Sequence, residues 1–166
     1  MSDFSKLRTL ILAVHLAGIV GVVVYWNPVW LGLTLVSVVL FTWLGQELYC
    51  HRYLGHRAFE LSEGWQKVFA FFSIFNLFGN PIGIASTHVN HHKHADTALD
   101  PHPAATAWQT WFWMAPGFEQ SRSIATVKRL MRDAWLVFIR RYYFAIYFAV
   151  VGTAALIDIR IAIYGF

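Results

Sequence analysis

Two apolar runs stand almost back to back near the start of the chain, LRTLILAVHLAGIVGVVVY at 7–25 and VWLGLTLVSVVLFTWLGQ at 29–46. Nineteen helical residues reach about 28 Å, close to the hydrocarbon thickness of a bilayer. Only Trp26, Asn27 and Pro28 separate the runs, which leaves room for a tight turn and nothing more. Tyr25, Trp26 and Trp30 surround that turn, as aromatic residues do at a membrane surface. The runs therefore read as a hairpin of two membrane spans, about 7–26 and 29–46, with both outer ends on one side. Lys6 and Arg8 flank the first end, and Arg52 and Arg57 the second. The positive-inside rule makes that side cytoplasmic.

Composition agrees with a membrane chain. Hydrophobic residues make up 57% and charged residues 13%, where a soluble domain carries about 25% charge. At 166 residues the length suits a single domain. The one cysteine, Cys50, excludes an intrachain disulfide. A net charge of +4, on residues beside apolar segments, suits anionic lipid head groups and gives no case for nucleic acid. No small-residue cleavage site follows the first run, so it is expected to stay as an anchor.

Further along, the segment 65–86 is apolar enough for one crossing and too short for two. It joins one histidine group at 51–56 to another at 88–92. If the two groups share a site, a single crossing is excluded. The segment then lies in the interface, broken near GNPIG. WQTWFWM at 108–114 reads as another interfacial anchor. Residues 121–142 carry six Lys or Arg and read as a basic cytoplasmic helix. A third span begins at 142–157 and is interrupted by Asp158 and Arg160. The expected fold is all-α: a multi-pass membrane bundle with a cytoplasmic, histidine-rich cap.

Seven of the eight histidines lie between His51 and His102. On a helix His88, His91 and His92 share a face, which suits a metal ion. His51 and His56 stand about 140° apart around an ideal α-helix, so they converge only if the helix ends between them. His94 points off the shared face, and His102 follows Pro101. His15 lies mid-span and is expected to be hydrogen-bonded within the bundle. Glu47, one turn before His51, is placed either to orient it or to stand solvated at the membrane edge.

HRYLGH at 51–56, HVNHH at 88–92, and the trailing Asp96 and DPH at 100–102 resemble the first two histidine boxes of the membrane fatty-acyl desaturases. The resemblance covers roughly 29–145. It implies an O2-dependent enzyme that introduces a cis double bond into a long acyl chain at a histidine-ligated di-iron centre. Zinc is a conceivable substitute for the iron. It also implies His51, His56, His88, His91 and His92 as ligands, with the carboxylates of Asp96, Asp100 and Glu47 behind them. Implied partners are an acyl substrate carried on CoA, carrier protein or lipid, membrane lipid, and an electron donor such as ferredoxin or cytochrome b5. The implied location is the bacterial inner membrane or the endoplasmic reticulum. Arg122, Lys128, Arg129 and Arg132 are candidates for the substrate head group. The chain differs from the family pattern at Val89 and Ile84, which bear on the acyl channel more than on the metal. A hydroxylase or ketolase of the same di-iron group is the nearest alternative, and a non-enzymatic metal-binding membrane protein the next. The family's third histidine box has no counterpart, since no histidine follows His102. The chain is therefore expected to be an incomplete, inactive portion of such an enzyme.

Overall fold

The computed structural model describes residues 3–95, 97, 99–101 and 121–166, with side chains from Thr9 on. Every regular element among them is helical. Helix α1 spans Asp3–Val24. The turn after it holds one tight helical turn, Pro28–Trp30, capped by Asn27, whose side-chain oxygen accepts from the Val29 N–H at 3.0 Å. The chain runs straight on into α2, which is α-helical over Leu31–Ser37 and π-helical over Val38–Gly55. Next come α3 (Glu63–Phe72), α4 (Pro81–His94), α5 (Ile124–Leu130), α6 (Ala134–Ile157) and α7 (Ile159–Gly165).

Local chemistry fixes these boundaries. Pro81 opens α4, where its missing N–H costs nothing, and the Asn80 side chain accepts from the Gly83 N–H at 3.0 Å. Residues 73–80 between α3 and α4 are non-helical or turn-like, so the apolar segment is a bent pair of short helices. The basic stretch 121–142 divides in two. Asp133 stops it and caps α6 by accepting from the N–H groups of Trp135 and Leu136 at 2.8 and 3.1 Å. Arg140 and Arg141 therefore ride on the long apolar helix, not on the short basic one.

The stretches Pro28–Gly55 and Ala134–Ile157 are long and apolar enough to cross a membrane, and Thr9–Val24 is a shorter apolar helix. Their large side chains face outward: Val23, Val29, Leu35 and Leu156 are all well exposed. Such a continuous apolar exterior suits lipid, not water. The buried core gathers at the other end of the molecule. There Tyr49, Cys50 and Leu54 of α2 meet Ala70 of α3, Ile82 and Ala85 of α4, Leu130 of α5, and Leu136 and Ile139 of α6. α7 turns back after Asp158 and lies against α2 and α1. The Tyr164 hydroxyl donates to the Tyr25 carbonyl at 3.0 Å and accepts from the Asn27 N–H at 3.1 Å, which ties α7 to the first turn.

Candidate metal centre

The last turns of α2 carry the first histidine group. The helix ends at Gly55, between His51 and His56, and His56 serves as its C-cap. It winds wide, and the His56 N–H reaches back five residues to the His51 carbonyl at 3.1 Å. Hydrogen bonds that span five residues put more residues in each turn, so positions i and i+5 come closer around the axis. The 140° separation expected of an α-helix is reduced, and the two rings stand 5.0 Å apart between centroids. The backbone then closes at Arg57, which takes a left-handed φ of 53°.

The second group sits in the last two turns of α4. His88 and His92 share a face, with ring centroids 4.5 Å apart. α4 packs beside the end of α2, so His88 lies 4.2 Å from the His51 ring and 4.9 Å from the His56 ring. His56 Nε2 and His88 Nε2 approach to 2.9 Å. In all, one ring nitrogen from each of His51, His56, His88 and His92 lies within 4.8 Å of the other three. A tetrahedral ion with bonds of 2.0–2.1 Å holds its ligand atoms roughly 3.4 Å apart. Small side-chain rotations would close this set onto one ion. Imidazole nitrogen suits iron and zinc, so the donor chemistry fits a metal.

His91 stands slightly apart, with its ring 5.5 Å from His92 and 6.3 Å from His88. Its Nδ1 pairs with Oδ1 of the buried Asp100 at 2.8 Å. His51 Nδ1 pairs likewise with Glu47 Oε2 at 2.9 Å. A carboxylate on Nδ1 fixes the ring and leaves Nε2 as the lone-pair donor, an arrangement characteristic of metal-binding histidines. The loop that presents Asp100 is held by the Asp100 N–H to the Thr97 carbonyl at 3.0 Å. It is also held by Ser121, which donates to the Leu99 carbonyl at 3.3 Å and receives the Asn90 amide.

The other sequence candidates are placed differently. Asp96, His102 and the 108–114 anchor lie outside the described residues. His15 bonds its own helix, Nδ1 to the Ile11 carbonyl at 2.7 Å. Arg122, Lys128 and Arg132 are exposed, while Arg129 is partly buried and bonds the Leu54 carbonyl. That bond joins residues 75 apart, and no local sequence signal announces it.

Burial pushes His88 down to about 3, and His51, His92, His56 and His91 around it add to the effect. Burial, then His51, His92 and Arg52, lowers His56 as well. Both rings are neutral at pH 7, the form that binds metal. Unfolded His88 takes its proton near 6.5, well above the folded value. Between these values the unfolded chain holds more protons, so its contribution to stability is complete above pH 6.5 and is lost as pH falls toward 3. The metal-free chain in micelles should therefore show a falling thermal midpoint from pH 6.5 to pH 4. His88→Gln should flatten that fall, and an undiminished slope in the variant would contradict it.

The chain is 41% identical over 91 residues to acyl-CoA 5-desaturase AL21 of Anemone leveillei, covering 54% of this chain and 28% of that protein. It is 31% identical over 123 residues to the acyl-CoA C20 Delta5-desaturase of the same plant, covering 71% of this chain and 39% of that one. A palmitoyl-monogalactosyldiacylglycerol delta-7 desaturase of Arabidopsis thaliana chloroplasts is 40% identical over 75 residues, 43% of this chain and 20% of its own length. The chain thus spans well under half the length of these curated relatives. No family model and no solved structure matches it.

Proposed function

The chain belongs to the fatty-acyl desaturase family, and from that premise we propose that it supplies histidine ligands to an O2-dependent iron centre that introduces a cis double bond into a long acyl chain. The observation that carries this reading is the meeting of His51 and His56 with His88 and His92. Two boxes from separate helices converge although the segment between them is as apolar as a membrane span.

In this reading α1, α2 and α6 cross the membrane, α3 and α4 lie at its surface, and the histidines face the cytoplasm. Arg52, Arg57, Arg132, Arg140 and Arg141 support that orientation. His51, His56, His88 and His92 hold one ion, and His91, backed by Asp100, stands ready for a second. Bound iron, with O2 and two electrons, supplies the oxidising power needed to remove two hydrogens from adjacent unactivated methylenes. The chain's own residues do the rest. Glu47 and Asp100 keep protons on Nδ1 of His51 and His91. Burial keeps His88 neutral. The apolar surfaces of α2 and α6 present a lipid-like environment to an acyl chain. The acyl carrier and the electron donor, whether ferredoxin or cytochrome b5, belong to the same proposal, as do head-group contacts from Arg122, Lys128 or Arg132.

Four convergent imidazoles suffice for one ion, while a di-iron site built mainly of imidazoles needs roughly twice as many. Residues 1–166, purified in micelles and loaded with Fe2+, should therefore hold about one iron tightly and form no alkene from an acyl-CoA with O2 and reductant. Two tightly held irons with desaturation would show that the site is complete as it stands. A hydroxylated product from a longer form carrying these boxes would favour the hydroxylase alternative.

A further inference from the structure

Among the described contacts, Arg129 is the candidate head-group residue whose guanidinium is engaged inside the protein. It projects from α5, and its Nη2 donates to the Leu54 carbonyl in the last turn of α2, between His51 and His56. The final carbonyls of a helix have no partner within it, and a cation there also meets the negative end of the helix dipole. The neighbouring amides of that turn are satisfied internally. His56 bonds His51 and Arg57 bonds Tyr53, both at 3.1 Å, and Ala58 bonds Arg52 at 3.0 Å. Leu54 itself is almost wholly buried, so its carbonyl has little access to water.

α5 is tied at its other end to the second histidine helix. The Ser123 N–H donates to the Ser86 carbonyl of α4 at 3.0 Å, and Leu130 sits in the core with Leu54 and Ala85. One short helix thus grips both histidine-bearing helices, at Ser86 and at Leu54. We propose that Arg129 is a positioning residue that fixes the wide turn carrying His51 and His56 against α4, and is not a contact for an anionic head group. Lys128 and Arg132, its basic neighbours, are exposed and have no such role.

The inference rests on the metal reading above, so its test has an arm that needs no metal. Residues 1–166 are studied in micelles by amide hydrogen exchange and by Co2+ titration. Arg129→Met should speed exchange at residues 56–58 by roughly tenfold, the loss of a charged hydrogen bond, with α6 unchanged. Co2+ affinity should fall by a similar factor. Arg129→Lys, which keeps the charge and one donor, should restore most of both, leaving about a threefold rise in exchange. If Arg129→Met unfolds throughout, that local rise in the lysine variant decides the matter. Unchanged exchange at 56–58 overturns the proposal and returns Arg129 to the surface contacts. Faster exchange with unchanged Co2+ affinity reduces Arg129 to a helix cap and overturns it too. If the unsubstituted chain binds no Co2+ while the variant still loses protection, the clamp stands and the metal reading falls instead.

Discussion

Replacing His88 with alanine is expected to weaken Co2+ or Zn2+ binding by more than a hundredfold, more than loss of any other histidine. His88 stands at the centre of the group: its ring lies within 5 Å of His51, His56 and His92. Changes behind the ligands cost about 10–100-fold in affinity, so the loss of a central ligand should exceed that. Asp100→Asn, which weakens the hold on His91 Nδ1, should fall within the 10–100-fold range for whatever His91 binds. His94→Ala should leave affinity unchanged, because His94 is outside the convergent set. His15→Ala should do the same, since His15 bonds only within α1 among the described contacts. Isothermal titration of each variant in micelles gives the comparison. A His88→Ala chain that binds as tightly as the parent would show that the four rings do not act together on one ion.

The largest structural effect is expected at Gly45. A methyl group there would stand 2.6 Å from the Ser73 backbone nitrogen and 2.7 Å from the Phe72 carbonyl carbon. Neither is the end of a flexible side chain, so α2 and the C-terminus of α3 would have to separate. Overpacking of this kind costs about 1–3 kcal/mol, and backbone against backbone belongs at the top of that range. Gly45→Ala should lower the thermal midpoint in micelles and loosen the α2–α3 contact seen by hydrogen exchange. Gly21 makes a useful comparison, because its added methyl first meets the Ile163 side chain, at 2.9 Å, which can turn away. Nothing lies within 4 Å at Gly152. Alanine there should stabilise α6 by up to roughly 1 kcal/mol through helix propensity alone. A Gly45→Ala chain as stable as Gly152→Ala would mean that α2 and α3 do not approach as described.

The two substitutions probe different kinds of information. His88 was recognisable from HVNHH, because its spacing from His91 and His92 and the resemblance of the box both pointed to metal. Gly45 was not. A glycine in an apolar helix carries no mark of which backbone it will meet, and here that backbone lies 28 residues on, at Ser73. The same contrast divides the carboxylates. Glu47 is one turn from His51, within the reach of a local rule, and their contact follows from helix geometry. Asp100 reaches His91 only because the loop folds back at Thr97 and Leu99 and is held by Ser121, a residue more than twenty positions away.

What the sequence determined by itself was chemical and local. Apolar length and few charges made the chain helical and membrane-like. The caps at Asn27, Asn80 and Asp133 are short polar residues at helix entrances, where their side chains meet free N–H groups. The histidine spacing pointed to a metal-binding chemistry. Tertiary structure alone decided how the boxes meet. An α-helical reading leaves His51 and His56 on different sides, since its pitch follows from hydrogen bonds four residues apart. The wide winding after Val38 changes that pitch, and nothing in the apolar pattern encodes it. The placement of α4 against α2 then follows from a shared core, in which Ile82 and Ala85 join Tyr49, Cys50 and Leu54. Arg129 could be assigned to that arrangement only once the Leu54 carbonyl was found beside it, because contacts across 75 residues depend on packing and not on period.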